Sequence, residues 1–191
     1  MTKKFFIPVS AVFCLILSGC FSGGLSSGTR LFSPAAVNEK QFQLPCRIKI
    51  MNFRNLAGAD RRFLFRYKGN RMHNDEFNRW LLSPELMLER FLREEFNGTG
   101  KTEVRVRGVI TSFEFNAEKH LAVLAVDFTL YSGEQSISFK AKSEKRFARD
   151  SRDLPQAAAD AMEKCISSLA GQLQEQILDL CKKTSTGSSL Q

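Results

Sequence analysis

The sequence predicts an α+β protein in which two helices cover one face of an antiparallel sheet with a meander, after a leader and a flexible tether. Three observations favour this class. A long apolar stripe with helical spacing runs near the end of the chain, alternating segments joined by turn residues precede it, and a helix start lies before those. With 191 residues, of which 43% are hydrophobic and 25% charged, the composition is that of one globular domain.

The first elements are two short strands and a helix. Residues 46–53 alternate Ile48 and Ile50 with polar neighbours, and residues 62–67 (RFLFRY) indicate a second short strand. Ser83-Pro84-Glu85 is typical of a helix start, with a capping hydroxyl, proline at the first position and an acid in the first turn. Apolar residues then recur at helical spacing, which predicts a helix over 84–96.

An antiparallel meander follows. Alternation over 104–115 changes phase, which predicts a bulge or bend near Gly108 or Ser112. Alternation resumes over 122–131, and Ser132-Gly133-Glu134 predicts a turn into a partner strand over 137–141.

The last element is a helix over 154–181, with Asp153 as its cap and Pro155 near its start. Its apolar stripe comprises Ala158, Met162, Ile166, Leu169, Leu173, Ile177 and Leu180. We expect this stripe to cover the inner face of the sheet. The alternative is a coiled coil with a partner.

The first twenty residues have the order of an export signal. Lys3 and Lys4 precede an apolar run from Phe5 to Leu17, and small residues follow. The run is too short to span a bilayer, which takes about 20 residues. Leu17-Ser18-Gly19-Cys20 resembles a bacterial lipobox, in which the cysteine is acylated and becomes the new N-terminus. An ordinary signal or a buried helix is the alternative.

Residues 1–19 are therefore predicted to be a lipoprotein signal peptide, and Cys20 the point of lipid attachment. Residues 20–45 begin with many Gly and Ser, which predicts a flexible tether. The folded domain is expected over 46–181 and a disordered tail over 182–191. Phe21, where an aspartate favours retention at the inner membrane, favours the outer membrane and its periplasmic face.

Charge and chemistry narrow the function classes. The formal net charge of +8 suits anionic lipid, nucleic acid or an acidic partner, and it is equally explained by a solvated basic surface. Export disfavours nucleic acid. With two histidines and no zinc spacing, phosphate loop or nucleophile with a base, the sequence predicts no catalytic residue, metal or cofactor. We therefore expect a protein that is not an enzyme.

The order of elements resembles the ABC-type transport auxiliary lipoproteins, the PqiC-like proteins. In that family an asparagine-tryptophan-proline cluster opens a helix, and here residues 78–84 read NRWLLSP, followed by ELMLERFLREEF. The strand VRVRGVITSFEF also fits the family pattern. The resemblance covers about residues 46–181. Trp80 and Pro84 stand one residue further apart than in the family.

The resemblance implies a role beside an MCE-domain protein and an ABC permease that move lipid between the inner and outer membranes. In that role the lipoprotein docks the periplasmic assembly and has no active site. A different class of function also fits, namely a structural outer-membrane lipoprotein that supports a β-barrel assembly or lipopolysaccharide-transport complex.

Four residues are candidates for partner contact. Trp80, Phe77 and Tyr67 could form an exposed aromatic anchor, a residue type enriched in binding hot spots, with Arg79 beside them. The interpretation that we favour for Trp80 is packing against the sheet. A basic segment, comprising Arg61, Arg62, Arg66, Lys68 and Arg71, precedes the helix and suits phosphate or an acidic partner as well as it suits solvent.

Three cysteines of the predicted domain allow a disulfide. Cys165 and Cys181 lie on one predicted helix, about 24 Å apart at 1.5 Å per residue, so they cannot pair with each other. Cys46 can bridge to either of them. Three buried thiols are the alternative.

Overall fold

The computed structural model describes residues 28–34 and 42–187. The leader, Cys20 and residues 188–191 lie outside the described residues, so the lipid-attachment site stays a prediction. No helix in the described part has the length and apolar character needed to cross a membrane.

Within residues 28–34 and 42–187, the fold has ten strands and two helices. The strands are β1 (Arg30–Phe32), β2 (Phe42–Leu44), β3 (Arg47–Ile50), β4 (Arg54–Asn55), β5 (Arg62–Arg66), β6 (Met72–Trp80), β7 (Phe96–Gly98), β8 (Glu103–Asn116), β9 (Leu121–Ser132) and β10 (Gln135–Arg146). The helices are α1 (Pro84–Glu95) and α2 (Leu154–Gly187), and a short 3-10 turn spans Lys68–Asn70.

The main sheet is mixed. Its order is β1-β6-β5-β8-β9-β10, with β3 and β4 also paired to β8, and β2 pairs with β7 in a separate two-stranded sheet. The meander β8-β9-β10 is antiparallel, whereas β3, β4 and β5 all run parallel to β8. The prediction of a purely antiparallel sheet is therefore wrong. Alternation of apolar residues reports which face is buried but not strand direction.

The two helices lie against the buried face of the main sheet. The predicted stripe of α2 is buried along its length and packs on β9 and β10. Helix α1 lies beside it and packs on β3 and β4. Asp153 caps α2 as predicted, since its carboxylate accepts a hydrogen bond from the Gln156 amide at 3.1 Å. Ser83 precedes α1, but its hydroxyl contacts Glu85 at 2.7 Å and makes no backbone cap.

The bulge expected near Gly108 or Ser112 lies at the second of these positions. The register of β8 with β9 shifts between Ile110 and Ser112. Gly108 instead permits a close contact. The ring of Phe53 lies against the Gly108 backbone, in the space that a Cβ would occupy. This contact seats the segment after β3 against the centre of β8.

Two local expectations are corrected. Residues 20–45, predicted as a tether, contribute β1 and β2, which add to sheet edges through backbone pairing with Trp80 and Phe96 rather than through an apolar pattern of their own. Helix α2 also continues to Gly187, into the segment predicted as a disordered tail.

A disulfide joins the two ends of the domain. Of the alternatives that the sequence left open, the structure has Cys46 bonded to Cys181, so that the start of β3 is linked to α2 across 135 residues. Cys165 is a buried thiol near the Ala122 and Ser143 carbonyl oxygens, and burial raises its pKa to about 11.

We expect the double variant Cys46→Ser/Cys181→Ser to lose about 2–5 kcal/mol of unfolding free energy, because a long loop of the unfolded chain is no longer closed. Denaturant unfolding followed by circular dichroism measures the loss. Reduced native protein is the control and should match the variant. An unchanged unfolding midpoint would contradict the disulfide.

Candidate functional site

Trp80 lies in the core. Its side chain is 1% exposed, and its ring centroid is 4.5 Å from that of Phe63 and 5.6 Å from that of Phe113. Phe115 completes the cluster at 6.2 Å. Trp80 is therefore not an exposed anchor. It joins the end of β6 to the sheet just before α1, which is the packing role that we favoured.

Phe77 and Tyr67, in contrast, are 54% and 44% exposed. They line the same cleft, of about 480 Å³, at one end of the main sheet. The other lining residues are Phe65, His73, Asp75, Glu76, Ala117, His120, Phe147, Leu154 and Pro155. We call this the aromatic cleft. Arg79, the fourth candidate, instead borders a separate shallow groove with Arg61 and Arg62.

A bulge in β6 presents Phe77 to the aromatic cleft. The β5–β6 register moves two positions on β5, from Arg62 to Leu64, while it moves five on β6, from Arg79 to Asn74. Residues 75–78 therefore contain extra backbone that cannot pair with β5. Asp75 holds this loop, because its carboxylate accepts hydrogen bonds from the Phe77 and Asn78 amides at 2.8 and 3.1 Å.

The opposite wall comes from the β8–β9 turn and the start of α2. His120 has a φ of 50°, and its carbonyl accepts a hydrogen bond from the Phe147 amide at 3.0 Å. The two rings meet edge to face at 5.7 Å. Leu154, 38% exposed, follows Asp153, which pairs with Arg30 at 2.6 Å. Strand β1 is thus attached beside the aromatic cleft.

The arginines of the basic segment mostly pair within the chain. Arg66 forms two hydrogen bonds of 2.7 Å with the carboxylate of Glu114, whose side chain is nearly buried. Arg62 contacts Asp60 at 2.6 Å and, by hydrogen bonding, lowers the pKa of that carboxyl below its ordinary value. Arg61 donates to the Trp80 carbonyl. These side chains stabilise the β5–β6 hairpin, and their partners within the chain occupy the groups that would bind an external anion.

The aromatic cleft offers apolar contact with a few hydrogen-bonding groups at its rim. Such a lining is typical of sites that bind another molecule or chain. In the described part of the chain, no group of three or more His, Cys, Asp and Glu side chains is placed to hold a metal ion. The sequence does not reveal the aromatic cleft, because its walls come from four separate segments of the chain. It did, however, predict Phe77 and Tyr67 as candidates for partner contact.

Solved structures share this architecture. An uncharacterised protein aligns with 76% of this chain and 99% of its own length, at 10% identity and a TM-score of 0.57. A Xanthomonas campestris protein of the DUF330 family aligns with 82% of this chain and 99% of its own, at 15% identity and a TM-score of 0.60.

The fold is that of the DUF330 protein. No sequence family matches the chain, and no curated protein matches it. At 15% identity the likeness to the DUF330 protein concerns the fold, so it supports the predicted resemblance at that level. A transport role is not part of what the likeness shows.

The different positions of Trp80 and Phe77 make a paired prediction. Trp80→Ala should cost about 3–5 kcal/mol of unfolding free energy, since it leaves a cavity among packed rings. Phe77→Ala should change it by no more than about 0.5 kcal/mol, because the side chain is solvated. Chemical unfolding followed by circular dichroism measures both. Equal losses would place Phe77 in the core and remove it from the aromatic cleft.

Proposed function

We propose that the protein is a membrane-anchored periplasmic auxiliary lipoprotein of an ABC/MCE-type transport system. In this role it is a docking subunit that supports lipid trafficking between the inner and outer membranes. The observation that carries the proposal is the fold shared with the DUF330 protein over 82% of the chain. DUF330 is the PqiC-like family that the sequence resembles.

Two further observations support the proposal. The first twenty residues have the order of an export signal, and Leu17-Ser18-Gly19-Cys20 resembles a site for acylation. More than one acyl chain is needed for stable attachment, since each buried methylene contributes about 0.8 kcal/mol. The disulfide between Cys46 and Cys181 suits an oxidising compartment. The anchor belongs to the outer membrane in this proposal, with the domain on the periplasmic side.

The aromatic cleft is the proposed contact for the MCE-domain protein or the permease. Exposed aromatic side chains in a concave site supply contact area at low entropic cost, which is why they are enriched in binding hot spots. Phe77 and Tyr67 meet that description. The proposed role is docking, without a catalytic step, metal or cofactor.

The anchor is tested by Cys20→Ala. We expect the variant to leave the membrane fraction of native cells, because no acyl chain can be attached at residue 20. Membrane fractionation with and without high salt measures the distribution, and Cys165→Ala is the matched control that should stay membrane-bound. Membrane attachment of the Cys20→Ala variant equal to that of the native chain would overturn the lipoprotein assignment.

The partner is tested by mild crosslinking in native cells and purification through a C-terminal tag. We expect an MCE-domain protein and its ABC permease in the native sample, and at least a fivefold lower yield with Phe77→Ser. Leu56→Ser changes another exposed apolar side chain, one that does not line the aromatic cleft, so it is the control and should retain them. Recovery of a β-barrel without an MCE-domain protein would instead favour the scaffold function.

A further inference from the structure

We propose that the helix-free face of the main sheet binds the headgroups of anionic phospholipids and holds the domain against the bilayer. This inference rests on the proposed lipid anchor, and it adds a second membrane contact made by the folded domain itself. The surface, which we call the basic face, is defined by Lys49, Arg54, Arg105 and Arg107.

Strand register places these four cations side by side. Lys49 of β3 is paired with Arg105 of β8, and Arg54 of β4 is paired with Val109. Arg105 and Arg107 alternate with Val104, Val106 and Gly108, which are buried. Because neighbours along a strand point to opposite faces, the four cations project from the face opposite the helices. All four are exposed.

The rows continue across β9 and β10 with aromatic and hydroxyl side chains. Glu103 and Asp127 lie on the same face, where they pair with Arg47 at 3.1 Å and with Lys140 at 4.0 Å. Arg105 is paired with Tyr131, and its guanidinium lies 5.8 Å from the ring centroid. Arg107 is paired with Thr129, whose hydroxyl is 3.1 Å from that of Ser138. These groups can hydrogen-bond or stack beside a phosphate without adding negative charge.

None of the four cations forms an ion pair among the described residues. This distinguishes the basic face from the basic segment, where Arg62 and Arg66 are neutralised by Asp60 and Glu114. Like charges on directly opposite residues of paired strands destabilise a sheet. An anion between Lys49 and Arg105 removes that repulsion, so these positions favour a negatively charged ligand.

Chain length favours a bilayer over an acidic protein as the occupant. Cys20 lies ten positions before Arg30, the first residue of β1. Even fully extended, ten residues span only about 35 Å, which is close to the size of the domain. An acylated Cys20 therefore keeps one surface of the domain near the headgroups. The charge of the basic face is complementary to an anionic leaflet, to which each Lys or Arg adds about fivefold in binding.

The test uses the full lipidated chain with a fluorophore at Thr129→Cys, reconstituted in vesicles. The label is selective, since Cys46 and Cys181 are bonded to each other and Cys165 is buried with a pKa raised to about 11. We expect a blue shift of emission in phosphatidylcholine vesicles that also contain phosphatidylglycerol, and no shift in phosphatidylcholine alone. Salt at about 1 M should reverse it, because the Debye length falls to about 3 Å.

Two controls define the response. A fluorophore at Glu175→Cys, on the exposed side of α2, should not respond to phosphatidylglycerol. Changing Lys49, Arg105 and Arg107 to Gln should lower the equilibrium constant of the contact roughly 100-fold. Changing Lys164, Arg149 and Arg152 to Gln removes the same charge elsewhere and should leave the contact within about threefold.

The outcomes separate this proposal from the anchor. Protein that fails to stay with phosphatidylcholine vesicles lacks the lipid anchor, whatever the state of the basic face. Protein that stays but shows no phosphatidylglycerol response overturns the basic face as a lipid contact. Protection of the Thr129→Cys site in native envelopes but not in phosphatidylglycerol vesicles would also overturn it and assign the face to an acidic protein.

Discussion

Strand β8 is paired on both edges along nearly its whole length. On one edge it takes β3, β4 and β5 in turn, and on the other it takes β9. The backbone hydrogen bonds of this strand to its neighbours therefore depend on its register. A shift by one residue would turn the buried side chains of Val104, Val106 and Ile110 towards solvent. The same shift would turn Arg105 and Arg107 into the core. The positions of α1, the aromatic cleft and the basic face all follow from that single register.

Elements with a strong period were predictable from sequence. In the stripe of α2, the start of α1 and the meander, many apolar side chains recur with the same helical or strand period. Few arrangements of the chain would bury all of them. Strand β6 was missed because its sequence, MHNDEFNRW, has no alternation and is held by pairing with β5 and by Asp75. Strands β1, β2, β4 and β7 have two or three residues each, too few for any period.

The candidate site was predictable only in part, because the sequence does not show which aromatic side chains are buried or which arginines are paired. The sequence shows that Trp80, Phe77 and Tyr67 are aromatic, but which of them is solvated depends on the bulge in β6. It also shows many arginines, but not which of them pair with Glu114 or Asp60 of the same chain. Which cations lie beside one another on paired strands depends on strand direction and register, and neither can be read from the sequence.

Under the proposed export, the link between Cys46 and Cys181 also has a consequence for the order in which cysteines meet. In a chain that crosses the membrane N-terminus first, Cys46 reaches the oxidising side early, and Cys165 arrives before Cys181 as an earlier, incorrect partner. Thiolate is the reactive form of a cysteine, and burial against β9 and β10 raises the pKa of Cys165 to about 11. Once the meander has formed and α2 has packed on it, the Cys165 thiol is buried and cannot compete with Cys181 for Cys46.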